Sequence, residues 1–311
     1  MTETYLFRAK LEFEWAEGFK RSPQPLPVRF GPFKLDESPN YELYLEERGY
    51  EFGAKEGKQP KWEYPVSLLY VESEIIVKAG EYPEYAADQT FEQLEGMLRL
   101  FQEGHIYLRR HPHLWHLEEG VPKPEFFFVP QPIKPEPATL YERRPYRLDD
   151  ETLGEFVDFF NSYWDVLRRE SGRLRNALHR FSASCEARTL ADRLTELVIA
   201  LDALFGDGAD SLAYKIALRC ASLLYPPGEA RERAFKTIKK VYGERSELLH
   251  GAKLDTKFPP EEICQLEGDV RRAIVKFFNE HKAGRPINKV EELDRLLFFE
   301  EKGLWPPEGK S

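Results

Sequence analysis

The chain has 311 residues, of which 41% are hydrophobic and 14% aromatic, so its composition excludes a disordered protein. This length allows two domains with cores of their own. The formal net charge of -9 argues against non-specific coating of nucleic acid but leaves room for a local basic groove. No apolar run is long enough to cross a bilayer, no signal peptide is evident, and the three cysteines are widely spaced, so we expect a cytoplasmic protein without membrane association.

Residues 1–130 are predicted to form a β-rich N-terminal domain. Apolar side chains alternate over 5–15 and again over 41–45, and further apolar runs cover 66–77 and 126–129. One helix is expected here, starting at a capping box of Thr90 and Gln93. The histidines between His105 and His116 are interrupted by Pro112 and lack metal-ligand spacing, so we predict neither a metal nor another cofactor.

Residues 131–147 are rich in proline and are expected to form an extended linker. Beyond it the apolar period becomes helical, which predicts a bundle over 148–284 and a C-terminal helix and tail over 285–311. Its first helix is expected to start at a capping box of Thr152 and Glu155 and to end in a basic run reaching Arg180. Later boundaries are predicted at the GDG of 206–208, at Asp210, after 226–228, at 259–260 and after Asn288. The predicted fold class is therefore α+β: a β-rich domain followed by an all-α helical bundle.

The candidate chemistry lies in AFKTIKKVYGERSELLHG, residues 234–251. Arg245 falls on the apolar stripe, four residues after Val241, where a guanidinium needs an acidic partner or a cleft. His250 follows five residues later, directly before Gly251, a natural helix stop. On an ideal helix the two side chains would point roughly 140° apart. They can converge only if the helix ends or bends there, or if a second chain completes the site.

These residues resemble the HEPN domain family, in particular its ApeA-like branch. RSELLHG matches the family's Arg-x4-His element, and RTLADRLTELVIALDALFGDG, LAYKIALRCASLL and AFKTIKKVYGERSELLHG resemble the second, third and fourth helices of that branch. The resemblance covers about 181–254 and implies a domain that often dimerises and that acts, in active members, as a metal-independent endoribonuclease. Such a protein would be a toxin or an antiviral defence effector.

The resemblance also implies roles for individual residues. His250 would transfer a proton at the 2′-hydroxyl or at the leaving oxygen, and Arg245 would neutralise charge on the phosphoryl oxygens. Ser246, which stands where many active members carry Asn, Asp or His, could hydrogen-bond a phosphate. Glu196 or Asp202 could orient Arg245, and the sequence leaves both open.

Two other interpretations remain beside the ribonuclease. The first is a non-catalytic HEPN module that binds nucleotide, RNA or a protein partner, which Ser246 and the acidic net charge favour. The second is a structural domain in which Arg245 pairs with a carboxylate of the second helix or holds a dimer interface. Basic side chains at the end of the first helix and on the fourth could follow an RNA backbone or form solvated helix faces. These residues are Arg168, Arg169, Arg173, Lys236, Lys239 and Lys240.

Overall fold

The computed structural model describes residues 2–13, 26–38, 68–78, 80–104, 106–110, 114–118, 121–125, 146–169, 172–208, 212–249 and 256–299. Its strands are β1 (Thr2–Phe13), β2 (Val28–Phe30), β3 (Phe33–Ser38), β4 (Leu68–Lys78), β5 (Ile106–Arg110), β6 (Leu114–Glu118) and β7 (Val121–Glu125). Its helices are α1 (Pro83–Phe101), α2 (Asp150–Arg169), α3 (Arg173–Glu186), α4 (Leu190–Phe205), α5 (Leu212–Leu224), α6 (Glu229–Leu249), α7 (Pro260–Lys282) and α8 (Val290–Phe299). An antiparallel sheet followed by a mostly helical part confirms the predicted α+β class.

The described residues fall into two compact units. The first contains residues 2–95, 104–125 and 146–161, and the second contains 96–103 and 162–299. Helices α1 and α2 therefore each contribute residues to both units. The structure describes little of the predicted linker, so the domain boundary at 131–147 remains a prediction.

Strand β1 lies inside the sheet of the first unit. The strand order is β2-β3-β4-β1-β6-β7, β5 also pairs with β1, and the pairings are antiparallel. The predicted alternation of β1 is confirmed, since Tyr5, Phe7, Ala9 and Leu11 are buried. Both prolines of β7 lie in the last strand of this order, as expected for residues that cannot donate a backbone hydrogen bond.

Aromatic rings fill the core of the first unit. Phe30 packs edge-to-face on Phe156 and Phe160 of α2, with ring centroids 5.4 and 5.0 Å away. Phe33 contacts Phe91 of α1 with centroids 6.0 Å apart. Such pairs contribute about 0.5–1.5 kcal/mol each beyond the burial of their area. The sheet and the two helices therefore share one aromatic core within this unit.

Helix α4 is the most enclosed helix of the second unit and contacts α3, α5, α6 and α7. Its apolar residues cover most of its circumference, as expected for a helix packed on several sides. Thr189 caps its start by accepting the backbone N–H of Asp192 at 3.0 Å. Gly206 is its C-cap, which confirms the predicted stop at the GDG sequence. The predicted starts of α7 at the 259–260 prolines and of α8 after Asn288 are also confirmed.

Both predicted capping boxes are wrong. Helix α1 begins at Pro83, and the Thr90 hydroxyl donates to the Ala86 carbonyl inside the helix at 2.8 Å. Helix α2 begins at Asp150 rather than after Thr152. Asp149 Oδ1 accepts the Thr152 N–H at 2.9 Å, and Thr152 Oγ1 accepts the Asp149 N–H at 2.8 Å. Thr152 is therefore the second member of a capping box that Asp149 opens.

The predicted single helix through the basic run is also wrong. Helix α2 ends at Arg169 and α3 begins at Arg173, so Arg180 lies on a separate helix. Gly172 occupies the N-cap of α3 without a side-chain hydrogen bond, so the start of α3 carries no polar capping signal. The helix packs on α4 and α7 through a buried face that consists of Leu174, Ala177, Leu178, Phe181 and Ser184.

Several predictions concern residues outside the described ranges and remain predictions. They are the strand at 41–45, the apolar run at 126–129, the cap at Asp210, and the residues His105, His111, His113 and His250. Within the ranges that the structure describes, no helix is both long and apolar enough to cross a membrane. The three cysteines form no disulfide among the described residues, and burial raises the pKa of the Cys185 thiol to about 11, which makes it a poor nucleophile.

Candidate functional site

Arg245 lies on the side of α6 that faces the core of the second unit. Ile238 and Val241, which precede it on the same stripe, are each 1% exposed, so the predicted position is confirmed. Its Nε atom is buried and has no hydrogen-bond partner in the described part of the chain. No described carboxylate lies within ion-pair distance of the guanidinium. A partly buried cation without a counter-ion is costly, and an incoming anion would relieve that cost.

Tyr242 and Asp202 are the polar groups beside this guanidinium. The guanidinium carbon of Arg245 lies 5.9 Å from the centroid of the Tyr242 ring. Burial, followed by the negative charge of Asp202, raises the pKa of Tyr242 to about 12, while Arg245 opposes the shift. The Tyr242 hydroxyl is buried without a hydrogen bond of normal geometry, so we attribute the effect of Asp202 mainly to its charge. Tyr242 therefore stays neutral over the physiological range and adds no charge to the site.

The two candidate supporting carboxylates have different surroundings. Glu196 accepts hydrogen bonds from Nη1 of Arg180 at 3.2 and 3.4 Å. Asp202 stands at the end of α4, where its backbone carbonyl accepts the Gly206 N–H at 2.8 Å. Because Asp202 and Arg245 both act on Tyr242, Asp202 is the carboxylate that shares a neighbourhood with Arg245.

Other arginines of the second unit are held by carboxylates. Arg219 is 8% exposed and donates from Nε to Asp294 at 2.8 Å and from Nη1 to the Phe205 carbonyl at 2.9 Å. Arg193 and Arg271 both pair with Glu267. Burial raises the pKa of Glu267, but these two guanidiniums outweigh burial and hold the pKa below its ordinary value. The contrast singles out Arg245, whose surroundings provide no such partner among the described residues.

The predicted RNA-binding residues fall into two groups: side chains that make hydrogen bonds or ion pairs within the protein, and exposed side chains without an ion-pair partner among the described residues. Arg173 donates to the carbonyls of Leu204, Gly206 and Asn288 at 3.3, 2.9 and 3.0 Å, and thereby satisfies the end of α4. Three others make ion pairs on the surface: Arg168 with Asp165, Lys236 with Glu232, and Lys240 with Glu262. Arg169 and Lys239 are exposed and have no ion-pair partner in the described part of the chain.

The remaining catalytic candidates stand around Arg245 in the sequence. Ser246 is exposed on α6. Helix α6 ends at Leu249, so His250 is the first residue after it, and its position lies outside the described residues. In the last turns of α6, Glu244 Oε1 accepts the backbone N–H of Lys257 at 3.0 Å, which joins this helix to the segment before α7.

Sequence reasoning missed one surface feature near this site. Tyr214 of α5 is 49% exposed and meets Phe235 of α6 edge-to-face, with ring centroids 5.3 Å apart. Tyr214 lies two residues before the buried Ile216, so the helical period places the two side chains about 160° apart, and this spacing was the available signal that the ring does not belong to the buried stripe. Phe235 follows the buried Ala234 on α6 but is itself only half-buried.

Comparisons of the chain with protein families, with curated proteins and with solved structures found no match.

Proposed function

We propose that the protein is a HEPN-type, metal-independent endoribonuclease of a toxin or antiviral defence class, with Arg245 and His250 as its catalytic residues. One observation carries the proposal: the Arg245 guanidinium faces the packed side of α6, and its buried Nε has no acceptor among the described residues. A cation so placed suits a phosphoryl group, because the ligand would supply an acceptor that the described residues do not. The sequence supports the proposal further by placing His250 directly after the same helix.

The reaction would be an internal transfer at phosphorus. The 2′-oxygen attacks the adjacent phosphorus and loses its proton, the bond to the 5′-oxygen breaks, and that oxygen gains a proton. The products are a 2′,3′-cyclic phosphate and a 5′-hydroxyl end. An imidazole that titrates near neutral pH is suited to move one of these protons, which is the role of His250. Arg245 would stabilise the negative charge that develops on the phosphoryl oxygens, and Ser246 would donate a hydrogen bond to the phosphate.

The test is cleavage of a mixed RNA pool in EDTA by the wild type and by the Arg245→Ala and His250→Ala variants. Arg233→Ala is the matched control, because Arg233 lies on the same helix and is exposed in a pair with Glu229. We expect cleavage by the wild type and the control, with losses of about 100-fold or more in the other two. Cleavage by His250→Ala at the rate of the wild type would contradict the proposal.

A second candidate function is a non-catalytic HEPN module that binds nucleotide, RNA or a protein partner. The formal net charge of -9 and the serine at 246 favour it. It predicts saturable binding that Arg245→Ala weakens, without turnover by any variant. The same incubation therefore separates the two functions when binding is measured beside cleavage.

The proposed function also includes a homodimer formed through the helical domain. In such a dimer the Arg245 and His250 side chains of both chains would line one cleft. Mixing Arg245→Ala chains with His250→Ala chains should then restore cleavage, because a mixed dimer retains one intact arginine and one intact histidine. Two variants that stay inactive when mixed under subunit exchange would argue against a shared cleft.

A further inference from the structure

Two aromatic side chains meet on the surface of the second unit, which we call the aromatic pair: Tyr214 of α5 and Phe235 of α6. Their rings are 5.3 Å apart at an interplanar angle of 79°. Tyr214 is 49% exposed, and Leu218, one turn further along α5, is 45% exposed. Contact with Phe235 limits the freedom of the Tyr214 ring, so a ligand that stacks on it meets a partly ordered surface.

A cationic side chain follows the aromatic pair along α6. Lys239 lies four residues after Phe235, so the two share one face of the helix. It is exposed and without an ion-pair partner in the part of the chain that the structure describes. Nearby lysines are less available, since Lys236 pairs with Glu232 and Lys240 pairs with Glu262. Lys239 is therefore the cation on this face that is open to a phosphate.

Side chains along α6 also connect Lys239 to the candidate site. Tyr242, which is only 9% exposed, follows Lys239 by three residues, and Arg245 follows Tyr242 by three. Each step joins neighbours on the helix, but the two steps together turn by about 120°, from the exposed face at Lys239 to the packed side at Arg245. Phe235 and Arg245 are separated by about 15 Å along the helix axis, because each residue advances the helix by about 1.5 Å. A short stretch of single strand can span that length.

We propose that the aromatic pair is a base-stacking platform for single-stranded RNA, whose backbone then passes Lys239 and turns around α6 toward Arg245. This inference rests on the proposed function, because it supplies the binding surface for the same substrate. Stacking on aromatic rings beside a cationic track is how many proteins hold single strands without reading their sequence. The platform would thus position a nucleotide near the scissile phosphate whatever its base.

A second copy of the chain fits this surface less well. A symmetric contact through the aromatic pair would bring the same lysines of both chains close together. The exposed apolar side chains here, Tyr214 and Leu218 with the half-buried Phe235, also cover much less than the roughly 800 Å² per partner of a standard interface. Single-stranded RNA suits this surface better, because its bases can stack on the aromatic rings and its phosphates can pair with the positive charge of Lys239.

The test measures binding of the full chain to a fluorescent, fully 2′-O-methylated single-stranded RNA, which cannot be cleaved through its 2′-oxygens. Tyr214→Ala should weaken binding by about 5- to 150-fold, the range expected for loss of one base–aromatic stack. Tyr214→Phe keeps the ring and should retain the affinity. Lys239→Gln should lower the slope of log affinity against log salt by about 0.7, the value for one phosphate contact to a single strand.

Tyr85→Ala is the matched control, because Tyr85 is an exposed tyrosine of α1 at 65% exposure, preceded directly by Glu84. It should bind as the wild type does. Equal affinity in Tyr214→Ala and the wild type would overturn the platform, as would a wild type that does not bind the probe. Dissociation of an oligomer by Tyr214→Ala in sedimentation would overturn it too, since a second copy would then cover the rings.

Failure of the platform and failure of the ribonuclease give different results. If cleavage depends on His250 but binding does not depend on Tyr214, the base-stacking proposal is rejected and the ribonuclease proposal is retained. If binding depends on Tyr214 but no cleavage occurs, the base-stacking proposal is retained and the ribonuclease proposal is rejected. Thermal unfolding of each variant checks that the substitutions on this exposed surface leave the fold intact.

Discussion

Arg245 and Arg219 form a natural comparison at the residue scale, because both are cations turned toward the packed side of a helix. Arg219 forms ion pairs with Asp207 and Asp294 and donates a hydrogen bond to the Phe205 carbonyl. The Nε of Arg245 has no acceptor within the ranges that the structure describes. A side chain that stabilises the fold and one that is kept for a ligand should therefore respond in opposite ways to the same substitution.

We predict that Arg219→Met lowers the free energy of unfolding by about 1–3 kcal/mol, because Asp294 and the Phe205 carbonyl lose this donor, while Asp207 keeps Lys215 as a partner. Arg245→Met should leave the free energy of unfolding unchanged or slightly higher, because an unsatisfied buried donor is replaced by an apolar chain of similar length. Urea unfolding followed by circular dichroism measures both. A large loss of stability in Arg245→Met would mean that Arg245 is a structural residue.

Asp149 gives a pH-dependent prediction at the same scale. The Thr152 backbone N–H, assisted by Arg147, lowers the pKa of Asp149 from 3.8 to about 2. Because the pKa in the folded state lies below the ordinary value, the ionised carboxylate stabilises the fold fully above about pH 4 and loses that effect as the pH falls toward 2. Asp149→Asn keeps an oxygen that can accept the Thr152 N–H, and so isolates the charge.

The expected result is an unfolding temperature for Asp149→Asn below that of the wild type at pH 7, with the difference shrinking between pH 4 and pH 2. Asp158→Asn is the control, since Asp158 is exposed on the same helix. A difference that stays constant down to pH 2 would show that the charge of Asp149 does not stabilise the cap.

At the scale of elements, the end of α4 depends on two guanidiniums from other helices. Arg173 of α3 reaches the carbonyls of Leu204 and Gly206, and Arg219 of α5 reaches that of Phe205. The last carbonyls of a helix have no partner within it, so these contacts satisfy groups that would otherwise need water. Arg173 was a predicted RNA contact, but its hydrogen bonds to these carbonyls show that its side chain stabilises the end of α4.

We therefore predict that Arg173→Ala lowers the free energy of unfolding by about 1–3 kcal/mol, the size of a lost charged hydrogen bond. It should leave the salt dependence of RNA binding unchanged. Arg168→Ala, which removes an exposed side chain paired with Asp165 three residues earlier, is the control for stability. A reduced salt slope in Arg173→Ala would show that Arg173 contacts phosphate after all.

The sequence predicted elements best where their boundaries are chemically marked. Helix α4 ends at Gly206 and α7 starts after Pro259, as predicted, because local chemistry alone determines such positions. Helix α3 was missed because Gly172 offers no side-chain cap, and α1 was placed too late although Pro83 marks its start. The position of Arg245 on the buried stripe could be predicted from the helical period. That it has no carboxylate partner among the described residues could not be predicted, because this depends on which carboxylates the fold brings near the guanidinium.

At the scale of the whole molecule, the second unit contains residues far apart in the sequence. The segment 96–103 belongs to it, and Arg99 donates to the Ser182 hydroxyl and to Glu186 at 2.6 Å each. Arg271 donates to the carbonyl of Arg99 at 3.1 Å and pairs with Glu103 at 3.4 Å. The Arg99 and Arg271 side chains are only 4% and 12% exposed, so the two guanidiniums are shielded from water although their carboxylate partners are half exposed.

A fragment that starts at residue 148, the boundary predicted from the sequence, lacks this segment. We expect it to unfold at a lower temperature than the full chain, because Arg271 and Glu186 lose partners and the surface that 96–103 covers becomes exposed. In the full chain, Arg99→Ala should reproduce part of the loss, about 1–3 kcal/mol, whereas the exposed Arg147→Ala should cost less. Calorimetry of the four proteins measures these effects. An unfolding temperature of the fragment equal to that of the full chain would mean that the helical bundle is stable without residues 96–103.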